Sequence, residues 1–543
     1  MAVNHPKTDI GVYEADVSAT LARLADGNII RRIWEKDYTV WKPEPTEITN
    51  RLGWLAAPDL MSEEVPMLRY FVQNVRDAGF RYVVLLGMGG SSIGAEVLGQ
   101  TFSTGNQYPE LIVLGSTLPE AIQATVEAIN PALTLFLVSS KSGTTTEPLI
   151  LYAYFSDLLE KLVGKEKVRH NFIAITDAGT PLATLAQQKQ FRYTFLNPPD
   201  IGGRYSVLSY FGLVPSALIG IDIATMLQQA NRMRETCGSQ IPAHENSGLW
   251  LGACMGTLAL KGHDKLTLVM SPSIDTFGLW IEQLIAESTG KEGKGIIPIV
   301  NEPLRQPMYY GNDRLFIYLR VEGDENQATD TAIGHLISSE YPVVVLEMRN
   351  MYEMGAEFFR WEFATAVTGA VLGINPFDQP DVQKTKDSTG RLLQEYSVSS
   401  QLSNLETIGS LADLLSLAER GKYLAIMAYL RQTPEMDKAL TELRGKVTEQ
   451  YKIATTLGYG PRFLHSTGQL YKGGQNTGLF LQITANHVKN LTIPGKPYTF
   501  GIVADAQALA DFQALQATGR NVIRVHMPQS EISAIKRLIA QIE

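Results

Sequence analysis

Cysteine is nearly absent from this chain of 543 residues. Cys237 and Cys254 are too few for a disulfide framework or a four-thiolate zinc site, and a reducing, cytoplasmic setting is the expectation. Excess positive charge is missing as well. The formal net charge of −9 offers no basis for a nucleic-acid surface or a polybasic membrane patch, so neither partner is expected. If the ligand is an anion, the charge that binds it must be local, because the global field opposes it. No stretch is long and apolar enough to span a bilayer, and the start, Met-Ala-Val-Asn-His-Pro-Lys, holds no apolar signal core. Fixed-period repeats and low-complexity tracts are also lacking. What is present is ordinary for a folded globular protein: 45% apolar and 19% charged residues. The length suits roughly three domains of about 150 residues.

Short apolar runs alternate with helical patterns along most of the chain. Residues 1–59 read as a helical extension, with apolar residues at helical spacing over Ala19–Arg32. From residue 60 to 235, apolar runs at Tyr82–Leu86, Leu111–Leu114, Leu133–Val138, Phe172–Ile175 and Tyr193–Leu196 are separated by helix-like segments. That alternation predicts a parallel sheet covered on both faces. The pattern restarts over 240–400, with strands expected at Leu266–Met270, Ile296–Val300, Leu315–Leu319 and Val343–Leu346, and a long helix near Met351–Leu372. The remainder, 405–543, reads as a helical opening over Leu411–Leu430 followed by strands such as Leu479–Ile483 and Val522–Val525. Pattern alone assigns it no chemistry. The fold class is α/β.

Chemistry-bearing residues gather in loops. In Thr134-Leu-Phe-Leu-Val-Ser-Ser-Lys-Ser-Gly-Thr-Thr-Thr-Glu147 an apolar strand ends in hydroxyls, one lysine and one glycine before a helix starts. The first N–H groups of a helix have no partner within it, and its dipole favours an anion. The stretch therefore reads as a phosphate cradle, or as an ordinary N-cap in a Ser/Thr-rich loop. Gly87-Met-Gly-Gly-Ser-Ser-Ile-Gly94 lacks the Gly-Lys-Ser/Thr of a Walker loop and has Ser92 where a dinucleotide fingerprint needs its third glycine. It is a tight strand-to-helix turn that either admits a ligand or is purely structural. Asp200-Ile-Gly-Gly-Arg-Tyr-Ser206 combines close backbone approach with a guanidinium, or is a surface turn with a salt bridge. Glu287, in the last turn of a helix before Gly290, is badly placed for the helix dipole, which hints at function; a solvated glutamate is the bland alternative. Asn375-Pro-Phe-Asp-Gln-Pro-Asp-Val382 is a stiff turn leading to Lys384 and Lys386.

Any one of these motifs is weak, but in this order they resemble the phosphoglucose isomerase family. The match rests on 87–94, Ser-Lys-Ser-Gly-Thr-Thr (140–145), Gly-Gly-Arg-Tyr-Ser (202–206), Glu-Ser-Thr-Gly-Lys (287–291) and Asn-Pro-Phe-Asp-Gln-Pro (375–380). The flanks Trp34-Glu-Lys-Asp-Tyr-Thr-Val-Trp41 and Gly460-Pro-Arg-Phe-Leu-His-Ser-Thr-Gly-Gln-Leu470 look like the isomerase half of transaldolase/glucose-6-phosphate isomerase fusions. There is no room here for the transaldolase barrel, so the isomerase part is expected to stand alone. The resemblance implies two sugar-isomerase (SIS) domains, over 60–235 and 240–400, plus a C-terminal α/β extension.

It also implies an aldose–ketose isomerase of glycolysis and gluconeogenesis that interconverts glucose 6-phosphate and fructose 6-phosphate through a cis-enediol, with no metal or cofactor. Ser140, Lys141, Ser142 and Thr145 would hold the phosphate, with Gly90 and Ser91 lining the sugar. Glu287 would be the base, and Gly203 and Arg204 the loop that stabilises the enediolate. Gln379 and Lys386 would belong to a closing segment, the lysine assisting ring opening. Chemistry agrees on residue types: a proton alpha to a carbonyl needs a positioned carboxylate, and the developing oxyanion needs fixed positive charge.

One departure stands out. The family's ring-opening histidine, often drawn from the neighbouring subunit of a dimer, has no counterpart between Glu287 and Arg320. Tyr309 falls near its place, and His335 and His465 are the substitutes to weigh; a homodimer is among the expected partners. Two rival functions remain open. One is a bifunctional phosphoglucose/phosphomannose isomerase, with Thr289 as a place where specificity could shift. The other is a non-catalytic sugar-phosphate-binding protein, which needs the cradle but not Glu287, Arg204 and Lys386 together.

Overall fold

The computed structural model describes residues 6–102, 104–105 and 107–542. Residues 1–5, 103, 106 and 543, which include the start of the expected N-terminal extension, lie outside the described residues. Three sheets organise the chain, each built mainly from parallel strands with helices on both faces. In the first, the order is Glu110–Leu114, Tyr82–Gly87, Thr134–Ser139, Phe172–Asp177, Tyr193–Asn197, all parallel. The strands Tyr82–Gly87 and Thr134–Ser139 are continuous apolar runs because both faces are covered, and Val83 to Leu86 are fully buried. Strand order reverses between these two neighbours, and the crevice beyond the carboxyl ends at such a reversal is where open parallel sheets bind ligands. The glycine-rich turn and the Ser/Thr loop both leave from that point.

The second sheet runs Val343–Met348, Arg314–Val321, Lys265–Met270, Ile297–Ile299, with Lys7–Asp9 added antiparallel at the outer edge. This three-residue strand is exposed and falls in the extension expected to be helical. Between the halves, helices Ser247–Leu260 and Met354–Leu372 pack so closely that a Cβ on Gly252 would collide with the Ala364 carbonyl. Helix Phe277–Thr289 follows Lys265–Met270 and carries Glu287 on its final turn.

In the third sheet the order is Ala454–Tyr459, Tyr423–Tyr429, Gly478–Ala485, Asn521–Met527, again all parallel. The helix expected over Leu411–Leu430 is thereby corrected. It stops at Leu415, and Tyr423–Tyr429 is an inner strand buried along its whole length. A short apolar run buried on both faces carries no periodicity that separates strand from helix, and Gly421, at φ +86°, ends helical continuity just before it. A second difference lies at Pro380–Ser399, where a helix of 20 residues follows what reads in sequence as a proline-bounded turn. Among the described residues no helix is long and apolar enough to cross a membrane.

The third sheet does not stand apart. One apolar cluster joins Ala286, Ile297 and Ile299 to Tyr423, Phe463 and Leu470. Another joins Phe136, Val138 and Phe155 to Phe500, Val503 and Ala506. A buried cation stitches the second sheet to the third: Arg444 donates to the Val300 and Asn301 carbonyls, both at 2.9 Å, and to the Thr455 carbonyl at 2.8 Å. Glu302, in the same turn, accepts from the Thr455 N–H and from Arg314, both at 2.8 Å. Removing one partner of such a network strands the others. Arg444→Met should therefore cost about 3–5 kcal/mol, read as a lowered urea midpoint; an unchanged midpoint would mean that the seam between the sheets does not depend on it.

Candidate active site

Loops from all three sheets line one cavity of about 590 Å³. Its first wall is the Ser/Thr loop. Lys141, Ser142, Thr144, Thr145 and Thr146 line it, and Thr145 is the N-cap residue of the 18-residue helix Thr146–Val163. No side chain caps that helix, so its first N–H groups are left for a ligand. Ser142 and Thr144 hydroxyls bond each other at 2.9 Å. Gly143 adopts φ +65°, and a Cβ there would strike Thr180, so the turn can close only with glycine. Lys141 hydrogen-bonds the Asp177 carboxylate and donates to the Pro199 carbonyl at 3.0 Å. An ammonium has three donors, so one remains for an incoming anion. Burial raises the Asp177 carboxyl above its usual value against the opposing pull of Lys141, and Arg51, a further cation on the wall, acts on it in the same sense as Lys141.

The second wall holds a buried charge pair. Arg204, only 3% exposed, sets Nε 3.5 Å from Glu287 Oε2. Its Nη2 donates to the carbonyls of Phe377 and Asp378, at 3.1 and 3.0 Å, and to the Gln379 side-chain oxygen. Lys291 grips the same loop through the Asp378 carbonyl and carboxylate, both at 2.6 Å. Burial, then the charge of Arg204, pulls the Lys291 ammonium down to about 8. Gln283 donates to Glu287 Oε2 at 3.1 Å. Gly90, Ser91, Gly203 and Gln379 line the cavity beside these groups. The turns 89–91 and 203–205 meet backbone on backbone, since a Cβ on Gly90 would overlap the Gly203 carbonyl. Lys386, in the second turn of helix Pro380–Ser399, reaches the same space and has no hydrogen-bond partner among the described residues.

Residues 460–511 form the third wall, which the sequence motifs leave almost unmarked. Leu464, His465, Lys472, Val503 and Gln507 face the cavity. His465 Nε2 lies 3.0 Å from Glu147 Oε1, and Gln507 donates to the same oxygen at 2.7 Å. Thr117 in turn donates to Gln507 at 2.8 Å. Burial alone would raise Glu147, but the charge and hydrogen bond of His465, with the charge of Lys386, hold its carboxyl below the usual value. Lys472, by contrast, is spent on Asp511 at 2.6 Å.

The expected residues therefore gather, apart from Ser140, Thr289, His335 and Tyr309. Ser140 stands behind the wall, where its hydroxyl donates to Thr145 Oγ1 at 3.0 Å and so positions a contact rather than making one. Thr289 is also off the wall: its hydroxyl donates to the Ile285 carbonyl at 2.8 Å and accepts from Ile296 N–H at 2.9 Å. A side chain so engaged cannot select between sugars by contact. Of the ring-opening candidates only His465 reaches the cavity; His335 and Tyr309 line a separate groove with Arg305 and Glu449. Sequence reading missed Arg51, Asp177, Gln283 and Gln507. Glu147 had one signal, a carboxylate in a helix's first turn, which the dipole explains without function. Gln507 had none, lying in an alanine-rich helix. Among the described residues no group of three or more His, Cys, Asp or Glu could hold a metal ion.

Comparison with known proteins gives the following likenesses. The family model described as phosphoglucose isomerase matches residues 71–300. The glucose-6-phosphate isomerase of Staphylococcus saprophyticus is 31% identical over 399 residues, which covers 65% of this chain and 89% of that protein. That of Clostridium novyi is 30% identical over 392 residues, covering 63% and 86%. Among solved structures, a hypothetical protein from Thermus thermophilus superposes with a TM-score of 0.60 at 25% identity, over 71% of this chain and 99% of that one. A glucose-6-phosphate isomerase from Chlamydia trachomatis gives 0.60 at 18% identity, over 70% and 86%, a likeness of fold.

One carboxyl near Glu287 carries a pH signature. Glu282 is buried five residues before Glu287, and burial, only partly offset by Arg444 and Arg462, pushes it up to about 7. Its folded value exceeds the unfolded one, so its contribution to stability is complete below pH 4.5 and is lost as the pH rises through 7. Glu282→Gln should flatten the stability profile between those limits and raise the melting temperature at pH 8. A wild-type slope retained in the variant would exclude Glu282 as its source.

Proposed function

The chain belongs to the phosphoglucose isomerase family, and from that membership we propose that it interconverts glucose 6-phosphate and fructose 6-phosphate through a cis-enediol. The observation that carries the reading is the meeting, in one cavity, of an anion-binding helix start, a buried guanidinium and a carboxylate. The phosphate sits on the N–H groups and hydroxyls of 142–146 and takes the third donor of Lys141. This local charge answers the net −9 of the whole chain. Ser91 and the Gly90 and Gly203 backbone border the sugar.

Glu287 then removes the proton from C2 of the open-chain aldose. The C2–H electron pair forms the C1–C2 double bond, and the carbonyl oxygen becomes the enediolate oxygen, which gains a proton. The same carboxylate returns its proton to C1 as the C2 hydroxyl becomes the ketone, and the proton O2 gives up replaces the one gained at O1, so the oxygen-bound protons balance. Arg204 stabilises the enediolate, and it can because its guanidinium is held by three backbone carbonyls and Gln379 before any substrate arrives. Gln283 aims Glu287. Lys386 assists opening and closing of the sugar ring. No oxidant, metal or cofactor enters these steps, since the electrons moved all belong to the substrate.

Glu287→Gln should lower turnover by about 10²–10⁴ while fructose 6-phosphate still binds. A variant with near-normal turnover would remove Glu287 as the base. For the cradle, Lys141→Ala should weaken binding of hexose 6-phosphates far more than of the free hexoses, as measured by calorimetry. Equal weakening of both would take the phosphate away from this loop.

A further inference from the structure

We propose that residues 405–543 are the third wall of the catalytic site and deliver, in His465, the group that moves a proton between the anomeric hydroxyl and the ring oxygen, so that one chain holds a complete site. The proposal rests on the isomerase reading above and deepens it.

Hexose phosphates in water are overwhelmingly cyclic, and a proton at C2 becomes acidic only once the ring has opened to the carbonyl. Some group in the cavity must therefore take the anomeric proton and protonate the ring oxygen. Glu287 is engaged by Arg204 and Gln283 for the carbon acid. Lys141 is tied to Asp177 and Pro199, and Lys472 to Asp511. His465 has the one imidazole on the wall. Its Nε2 meets Glu147, and its Nδ1 has no hydrogen-bond partner among the described residues. A carboxylate behind one ring nitrogen fixes the tautomer and supports the charge gained when the other takes a proton. Gln507 and Thr117 hold that carboxylate in turn.

The proton transfer itself closes on His465, with Lys386 on the same cavity wall as an assisting charge. The imidazole accepts the anomeric hydroxyl proton, the bond from the anomeric carbon to the ring oxygen breaks as the carbonyl forms, and the imidazolium gives its proton to the ring oxygen. Nothing is oxidised or reduced.

Packing shows that the segment is built into the site rather than laid beside it. Gly89 holds φ +54° directly under the His465 backbone, where a Cβ would stand 2.7 Å from the His465 carbonyl. That carbonyl also accepts from Gln283 at 3.0 Å, the side chain that aims Glu287. A Cβ on Gly290, just past the base, would overlap Leu470. Gln469 donates to the Gly290 carbonyl at 3.0 Å and exchanges two 2.9 Å bonds with Asp381 at the start of the helix carrying Lys386. Arg462 pairs with Glu96 behind the glycine-rich turn at 2.6 Å.

The test compares two substrates in the full-length protein. Fructose 6-phosphate must open a ring; 5-deoxyfructose 6-phosphate lacks the hydroxyl that closes the furanose and reports only the carbon-acid step, by exchange of its C1 proton with deuterium oxide. His465→Gln and, as a positioning change, Glu147→Gln should each slow conversion of fructose 6-phosphate by about 10², with KM little changed, while exchange from the deoxy analogue stays within about threefold of wild type. Equal loss on both substrates, or on neither, overturns the role of His465. Wild type that exchanges neither substrate overturns the isomerase reading itself. Mixing Glu287→Gln with His465→Gln protein, with denaturation and refolding together, should restore no activity if one chain holds the whole site. Recovery of activity in the mixture would show that the histidine crosses between subunits and would sink the single-chain claim.

Discussion

The buried contact between Arg204 and Glu287 is the constraint around which the rest is arranged. An arginine and a glutamate taken out of water attract each other strongly, and a tight bidentate pair would neutralise both as reagents. Here only Nε approaches the carboxylate, at 3.5 Å, while the Nη2 donors are spent on the carbonyls of 377 and 378 and on Gln379. The guanidinium is thus stabilised mostly by neutral dipoles, and the carboxylate keeps capacity for a substrate proton. The two groups come from different sheets. Helix Phe277–Thr289 ends at the amino side of the second sheet, where Thr289 meets Ile296 at the start of strand Ile297–Ile299, and turn 203–205 follows the carboxyl end of strand Tyr193–Asn197 in the first, so the pair fixes how the halves meet. Lys291, drawing on Asp378, locks the loop that serves both.

Charge balance explains the design of the opposite end of the cavity. A protein of net charge −9 repels a sugar phosphate at long range. Binding must therefore come from groups that act within a few ångströms, and helix N–H groups with hydroxyls do so without adding net charge. Lys141 and Arg51 add cations, with Lys141 oriented by Asp177 rather than left to wander. The arrangement puts local positive charge beside the Ser/Thr loop in a chain that is acidic overall.

What the sequence makes legible follows from the range of the interactions involved. The Ser-Lys-Ser-Gly-Thr-Thr-Thr loop can be read because strand, turn and helix start are local, and the glycine at 143 has a local cause. Glu287 can be read because a carboxylate at a helix C-terminus contradicts its own dipole. Ser140 could not be sorted from Ser142 by motif, since which hydroxyl faces the cavity depends on the strand's pleat and on Thr145. The strand Tyr423–Tyr429 was hidden for a related reason: an inner strand and a buried helix share one apolar run. Gln507 and Arg51 escape entirely, because nothing in their own neighbourhoods marks them and their roles come from Glu147 and Asp177, far along the chain.

His465 marks the boundary between these cases. Its polar, glycine-rich setting suggests a site, yet a histidine satisfied in a turn would read the same way. The deciding fact is reciprocal and long-range. Gly89 and Gly290, which sequence explains as turn glycines, also need to lack a Cβ because His465 and Leu470 press on them from about 180 residues away or more. Two loops of the isomerase domains are therefore shaped to receive a third element. A segment merely appended to a finished enzyme would not press its backbone within 3 Å of where a Cβ would stand at both positions. The chemistry of ring opening and the packing of the glycines point to the same segment, and they do so from independent observations.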